Sequence, residues 1–208
     1  EQLHLYVDDA HGMSWAGKHG RGWALDTVKL HERMLIATSL NKAFGAGGGA
    51  LIFPNAEWYN RVRNGGLPLI FTGPLPPPVL GACIASAKIH LSDEITTKQA
   101  ALRERIEHCK RTLLQHNLPL AADTQAPIFF VKVGVPTVGA NLMRRMLNEG
   151  YYLNMGVFPA VGWRDTGMRF AVNLHQSLED ISAMAAALAY HLPLARKEEV
   201  SVRGLLRN

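Results

Sequence analysis

VDDAHGMSWAGKHGRG, residues 7–22, and TSLNKAFGAGGG, residues 38–49, decide how this chain folds. The first stretch continues an apolar run, LHLYV, which reads as a short buried strand over His4–Val7. The polar cluster Asp8-Asp9-Ala10-His11 ends that strand, and Gly12, Gly17, Gly20 and Gly22 mark a loop. The second stretch is entered from MLIATS, a strand over Met34–Ser39, and passes into a glycine-rich turn over Ala43–Gly49. A third strand is expected over Ala50–Phe53. Short apolar strands with polar residues and glycines at their exits describe an α/β sheet. In such sheets ligands gather at the carboxyl ends of the strands.

Working outward, Asn55 is placed as the N-cap of a helix through Arg63, closed by Gly65 and Gly66. Pro74–Pro78 imposes extended chain and then permits a helix from Pro78 to about His90, because a first helical turn tolerates proline. Leu102, Ile106, Cys109 and Leu113 form one apolar stripe. It predicts a helix over about Thr97–His116 that faces its domain's sheet. A strand over Ile128–Val133 and a helix over about Thr137–Glu149, capped by Gly150, come next. Strands over Tyr151–Met155 and Gly167–Asn173 follow. Ser177 with Asp180 is similar to a capping box and starts a helix to about His191. The break at Ser92–Thr97 divides the chain into residues 1–93 and an α+β domain of residues 97–208 with a basic tail.

Composition bounds the function. With 48% hydrophobic and 19% charged residues, the 208-residue chain can bury a core and is not disordered. The net charge of +5 is scattered in small clusters rather than one stripe, so no nucleic-acid partner is expected. Cys83 and Cys109 support neither a disulfide framework nor a zinc site and point to a reducing, cytoplasmic setting. No apolar run reaches the ~18 residues of a membrane helix, so no membrane partner is expected. The sequence enters a strand almost at once, without an initiator Met, and is read as part of a longer protein.

Two clusters could carry chemistry. Lys42 lies between an apolar strand and a flexible turn. It is either a solvated loop lysine or an amine fixed in a pocket, where desolvation or a nearby cation makes it a Schiff-base nucleophile. The order of lysine and glycines matches neither a Walker loop nor a Rossmann fingerprint. Asp8, Asp9 and His11 could bind a metal with help from His4, but no second ligand cluster lies at useful spacing, and no metal is expected. The alternatives are a turn in which an Asp caps backbone amides, or a site where one Asp holds a cationic heterocycle and His11 bonds its substituent.

These motifs resemble those of the pyridoxal-phosphate enzymes of fold type I, closest to the α-oxoamine synthase group, which includes aminooxononanoate synthase and 2-amino-3-ketobutyrate ligase. The family pattern is DDAHG…GxxGRG…TLSKAFG. FTGPLPPP, residues 71–78, resembles the FSTALPP segment, and GMRFAVNLHQSLEDI, residues 167–181, resembles the closing ARLRxxxSAAHTxEDI segment. The resemblance reaches about Leu192 and implies the C-terminal half of such an enzyme. Residues 1–93 would then be the second half of the cofactor-binding large domain and residues 97–208 the small domain.

The resemblance also implies roles. Lys42 matches the lysine that holds pyridoxal 5'-phosphate covalently and then acts as base. Asp8 matches the carboxylate on the pyridine nitrogen, and His11 the imidazole on the ring's phenolic oxygen. Ser39 occupies the place of a phosphate-binding hydroxyl. Thr72 lies in the segment that reaches the neighbouring subunit's phosphate, which implies a homodimer. Arg169 matches the arginine that grips the substrate carboxylate. Asn41, Gly73 and the NLHQS stretch at residues 173–177 depart from the pattern on the substrate and partner side. The implied reaction is decarboxylative condensation of an amino acid with an acyl-CoA. A class I/II aminotransferase of the same fold is the alternative. An inactive truncated fragment is the third reading, since the chain alone lacks the implied first half.

Overall fold

The computed structural model describes residues 3–205. The chain divides into two compact units, Glu1–Ala100 and Ala101–Asn208. In the first, strands β1 (Leu5–Asp8), β2 (Met34–Ser39) and β3 (Gly49–Ile52) form one sheet in that order. β1 and β2 are parallel, with Asp8 opposite Ala37; β3 returns antiparallel, with Gly49 opposite Ser39. Helices α1 (Trp23–Thr27), α2 (Ala56–Gly65), α3 (Pro77–His90) and the first turns of α4 (Glu94–Gln115) complete this unit. Asn55 caps α2 as expected, its side-chain oxygen accepting the Trp58 amide at 3.0 Å.

The first strand departs from expectation. Leu5 and Tyr6 are 53% and 63% exposed, not buried. An unbroken apolar run such as LHLYV suits a strand covered on both faces. β1 lies at the edge of its sheet, and the described residues leave Leu5 and Tyr6 open. The loop after β1 also contains two elements the glycines concealed, a 3-10 turn over Lys18–Gly20 and helix α1.

In the second unit, β4 (Ile128–Gly134), β5 (Asn154–Gly156) and β6 (Thr166–Ala171) form an antiparallel sheet in the order β4-β6-β5. The rest of α4, α5 (Pro136–Asn148) and α6 (Leu178–Leu205) pack with it. The α4 stripe behaves as its spacing demands. Ile106, Cys109 and Leu113 lie in one core with Phe129, Val131, Leu142, Met168 and Leu188, and Leu102 packs at its margin. Burial pushes the Cys109 thiol up to about 12, so it serves as a small apolar side chain.

Three boundaries moved by about three residues or more. α4 begins at Glu94 rather than Thr97. β5 begins at Asn154 rather than Tyr151, because Gly150 (φ +89°) and the Tyr151 amide, bonded to Met146 O at 2.9 Å, close α5. α6 passes His191 and runs through Pro193. A proline costs the helix one amide bond, while Leu188, Leu192 and Ala195 keep the helix anchored in the core. Its N-terminus is a reciprocal box: Ser177 N–H donates to Asp180 Oδ2 (2.9 Å) and Asp180 N–H to Ser177 Oγ (3.0 Å).

Candidate active site

Parallel pairing of β1 and β2 brings their carboxyl ends to one edge of the first unit's sheet. Asp8 closes β1 there, and Ser39 closes β2. His11 follows in the turn after β1, and Lys42 in the loop between β2 and β3. Four of the six residues singled out by sequence are therefore gathered by one strand register.

The two Asp residues of the motif do different things. Asp8 is exposed, and its Oδ1 accepts the Ala10 amide at 3.0 Å. Asp9 is 9% exposed, and its Oδ2 accepts the Ala24 amide at 3.0 Å, in the first turn of α1. A Cβ at Gly12 would come within 2.0 Å of Asp9 Oδ1, and one at Gly22 within 2.3 Å of Oδ2. The glycines on either side of the loop thus leave space for one buried carboxylate. Asp8 caps the turn amide of Ala10 from an exposed position, whereas Asp9 holds the first turn of α1 from a buried one. His11 is exposed too, with its carbonyl accepting the Trp15 indole N–H.

Lys42 sits in a loop closed by backbone bonds: Leu40 N–H to Gly48 O (2.9 Å), Ala46 N–H to Leu40 O (2.8 Å) and Gly45 N–H to Lys42 O (2.9 Å). Gly45 and Gly48 take φ of +76° and +90°, which L side chains adopt only with strain. Phe44 is buried and anchors the loop, while Lys42 stays exposed. Among the described residues no carboxylate pairs with its amine. The Ser39 hydroxyl is half-buried and donates to Asn41 Oδ1 at 2.6 Å, so it must turn to serve another acceptor.

The remaining two residues lie elsewhere. Thr72, exposed, donates its hydroxyl to Pro68 O in a segment that also exposes Leu67, Leu69 and Phe71. Arg169 belongs to the second unit, on β6 between Phe130 of β4 and Asn154 of β5. It faces away from the core side defined by Met168 and Phe170 and is half-buried. It lines a cavity of about 250 Å³ with Tyr151, Asn154, Gln176 and Met184. Among the described residues no carboxylate neutralises it.

The fold belongs to a known class of enzyme. The chain has the fold of the fold type I pyridoxal-phosphate enzymes: it superposes on serine palmitoyltransferase of Sphingomonas wittichii with a TM-score of 0.82 at 22% identity, covering 92% of this chain and 48% of that one. An 8-amino-7-oxononanoate synthase from Francisella tularensis superposes with a TM-score of 0.78 at 20% identity, covering 91% of this chain and 55% of that one. The chain belongs to the aminotransferase class I and II family, whose model matches residues 1–188. By sequence it is 28% identical over 190 residues to 8-amino-7-oxononanoate synthase of Xylella fastidiosa (strain M12), covering 91% of this chain and 46% of the relative. It is also 28% identical over 203 residues to the human erythroid-specific mitochondrial 5-aminolevulinate synthase, covering 95% of this chain and 34% of that protein. The chain thus spans between about a third and just over half of the length of these proteins.

Proposed function

We propose that the protein is a pyridoxal-phosphate-dependent transferase that condenses an amino acid with an acyl-CoA, with loss of carbon dioxide. The observation that carries this reading is that exposed Asp8 and Lys42 follow the carboxyl ends of two parallel, paired strands, Asp8 closing β1 and Lys42 lying in the loop that leaves β2. The donor set fits the cofactor: an amine for its aldehyde, a carboxylate for its ring nitrogen, an imidazole for its ring oxygen and a hydroxyl for its phosphate. When bound, the cofactor supplies an electron sink for bond cleavage at the substrate Cα.

The chain's own residues supply the rest. The Lys42 amine holds the cofactor and then moves a proton at the substrate Cα. Asp8 holds the proton on the ring nitrogen, and His11 orients the ring oxygen. Ser39 turns from Asn41 to the phosphate, and Thr72 contributes to the phosphate of a second subunit. Arg169 offers a planar fork to the substrate carboxylate. Residues 1–93 act as part of the cofactor-binding domain and residues 97–208 as the small domain, in a cytoplasmic homodimer. The apolar Leu67–Phe71 segment supports subunit contact. By itself the 208-residue chain is inactive and binds cofactor weakly, because Lys42, Asp8 and His11 are all exposed.

The test is product analysis with the intact protein. Release of an α-amino ketone and carbon dioxide only when acyl-CoA is present supports the proposal. Transamination without acyl-CoA supports an aminotransferase instead, which the same Lys42, Asp8 and Arg169 would serve.

A further inference from the structure

Beside the candidate site lies a buried imidazole that none of the proposed chemistry uses. His90, the last residue of α3, is 7% exposed. Its Nδ1 lies 2.8 Å from the carbonyl oxygen of Ser86, which can only accept, so Nδ1 carries the hydrogen. In the neutral ring Nε2 is then the acceptor, and Ser14 Oγ donates to it at 2.8 Å. The His90 carbonyl in turn accepts from His19 Nδ1 at 3.0 Å.

Ser14 is an unusual residue to find here. It is 5% exposed and has φ of 78°, in the left-handed region where a side chain is strained. All its polar atoms are engaged: its amide donates to Gly20 O (2.8 Å), its carbonyl accepts from Gln99 Nε2 (2.9 Å) and its hydroxyl donates to His90. Gly20 fits only without a side chain, since a Cβ there would lie 2.7 Å from His90 Cδ2. Burial of Ser14 removes any role as a nucleophile and leaves a mechanical one.

The same turn of α3 also grips the lysine loop. The ring of Phe44, two residues beyond Lys42, lies 4.8 Å from the His90 ring, and Ser86 Oγ donates to the Phe44 carbonyl. One helix end therefore holds the loop that follows Asp8 and His11 and the loop that carries Lys42.

We infer that His90 is a positioning residue: through Ser14 and Phe44 it fixes the Asp8–His11 loop against the Lys42 loop, so that carboxylate and amine meet one cofactor. The inference rests on the pyridoxal-phosphate reading of the site. Ser14→Gly separates this role from simple stability, because glycine accepts φ of 78° without strain yet loses the hydroxyl.

The experiment uses the intact protein and its Ser14→Gly, His90→Ala and His90→Gln variants. It reads the melting temperature, the cofactor retained on Lys42 after dilution and borohydride fixation, and amide hydrogen exchange without cofactor. For Ser14→Gly we expect little change in melting temperature, because the strain relieved at φ of 78° offsets the hydrogen bond lost by His90 Nε2, but cofactor loss faster by about two- to tenfold, the range of one hydrogen bond. His90→Gln, whose amide can still bond Ser14, should retain more cofactor than His90→Ala. In Ser14→Gly, exchange should quicken over residues 12–22 and 40–48 together. Unchanged retention in Ser14→Gly, or retention that follows melting temperature across all three variants, overturns the inference. If the unaltered protein fixes no cofactor at Lys42, the functional reading fails separately. Exchange then decides the coupling, and quickening confined to residues 12–22 overturns it.

Discussion

The two units of this chain solve the burial problem differently. The second has one connected core in which Leu113, Val131, Leu142, Met168 and Leu188 are fully enclosed. In the first, the buried apolar residues are Ala16, Met34, Ile36, Phe44 and Ile95, while Leu3, Leu5, Tyr6, Leu67 and Phe71 stand open. Its order comes instead from buried polar contacts, Asp9 on Ala24 and His90 on Ser14. The difference teaches that a unit whose Asp8, His11 and Lys42 sit on loops or strand ends depends on hydrogen bonds to set those loops, whereas the unit that bears Arg169 can rely on packing.

The sharpest way to break this comparison is Lys42→Ala. The side chain is exposed, so the melting temperature should hold while covalent cofactor attachment disappears altogether; protein mass after borohydride treatment reads this. Persistent attachment would move the site elsewhere. Next in size is Phe129→Ala in the second unit's core, where a large enclosed side chain is lost at a cost of about 3–5 kcal/mol. Leu5→Ala in the first unit should change the stability of this chain by no more than about 0.5 kcal/mol. Denaturant titration compares the two, and similar costs would show that Leu5 is covered in solution.

Asp8→Asn and Asp9→Ala form a second pair. Asp8→Asn should leave stability alone and slow turnover about ten- to a hundredfold, by loss of a charged hydrogen bond. Asp9→Ala should instead destabilise the first unit by about 1–3 kcal/mol, since the Ala24 amide loses its acceptor and space opens beside Gly12 and Gly22. Reversed effects would exchange their roles.

The smallest effect is one of pH. The backbone amide of Ser177, and then its hydroxyl, hold the Asp180 carboxyl below its ordinary range. A carboxylate with a lowered pKa in the folded state stabilises it above the unfolded value, and that contribution disappears as pH falls through the folded value. Amide protection in the first turn of α6 should accordingly be flat near neutrality and fall in acid. Asp180→Asn should remove the dependence.

Periodicity and local chemistry were enough to read much of this molecule. The 4, 3, 4 spacing of Leu102, Ile106, Cys109 and Leu113 fixed a helix face, Asn55 and Ser177 marked two helix starts, and the resemblance of the DDAHG and SLNKAFG stretches to family motifs singled out Asp8, His11, Ser39 and Lys42. Those signals act within a few residues, where backbone bonding is local. What needed the tertiary structure was every consequence of residues far apart in sequence meeting in space. The LHLYV run states that a strand is apolar, not whether anything covers it. Two adjacent Asp residues look alike until Ala24 and two glycines enclose one of them. His90 lies 76 residues from Ser14, and only folding gives that pair a hydrogen bond.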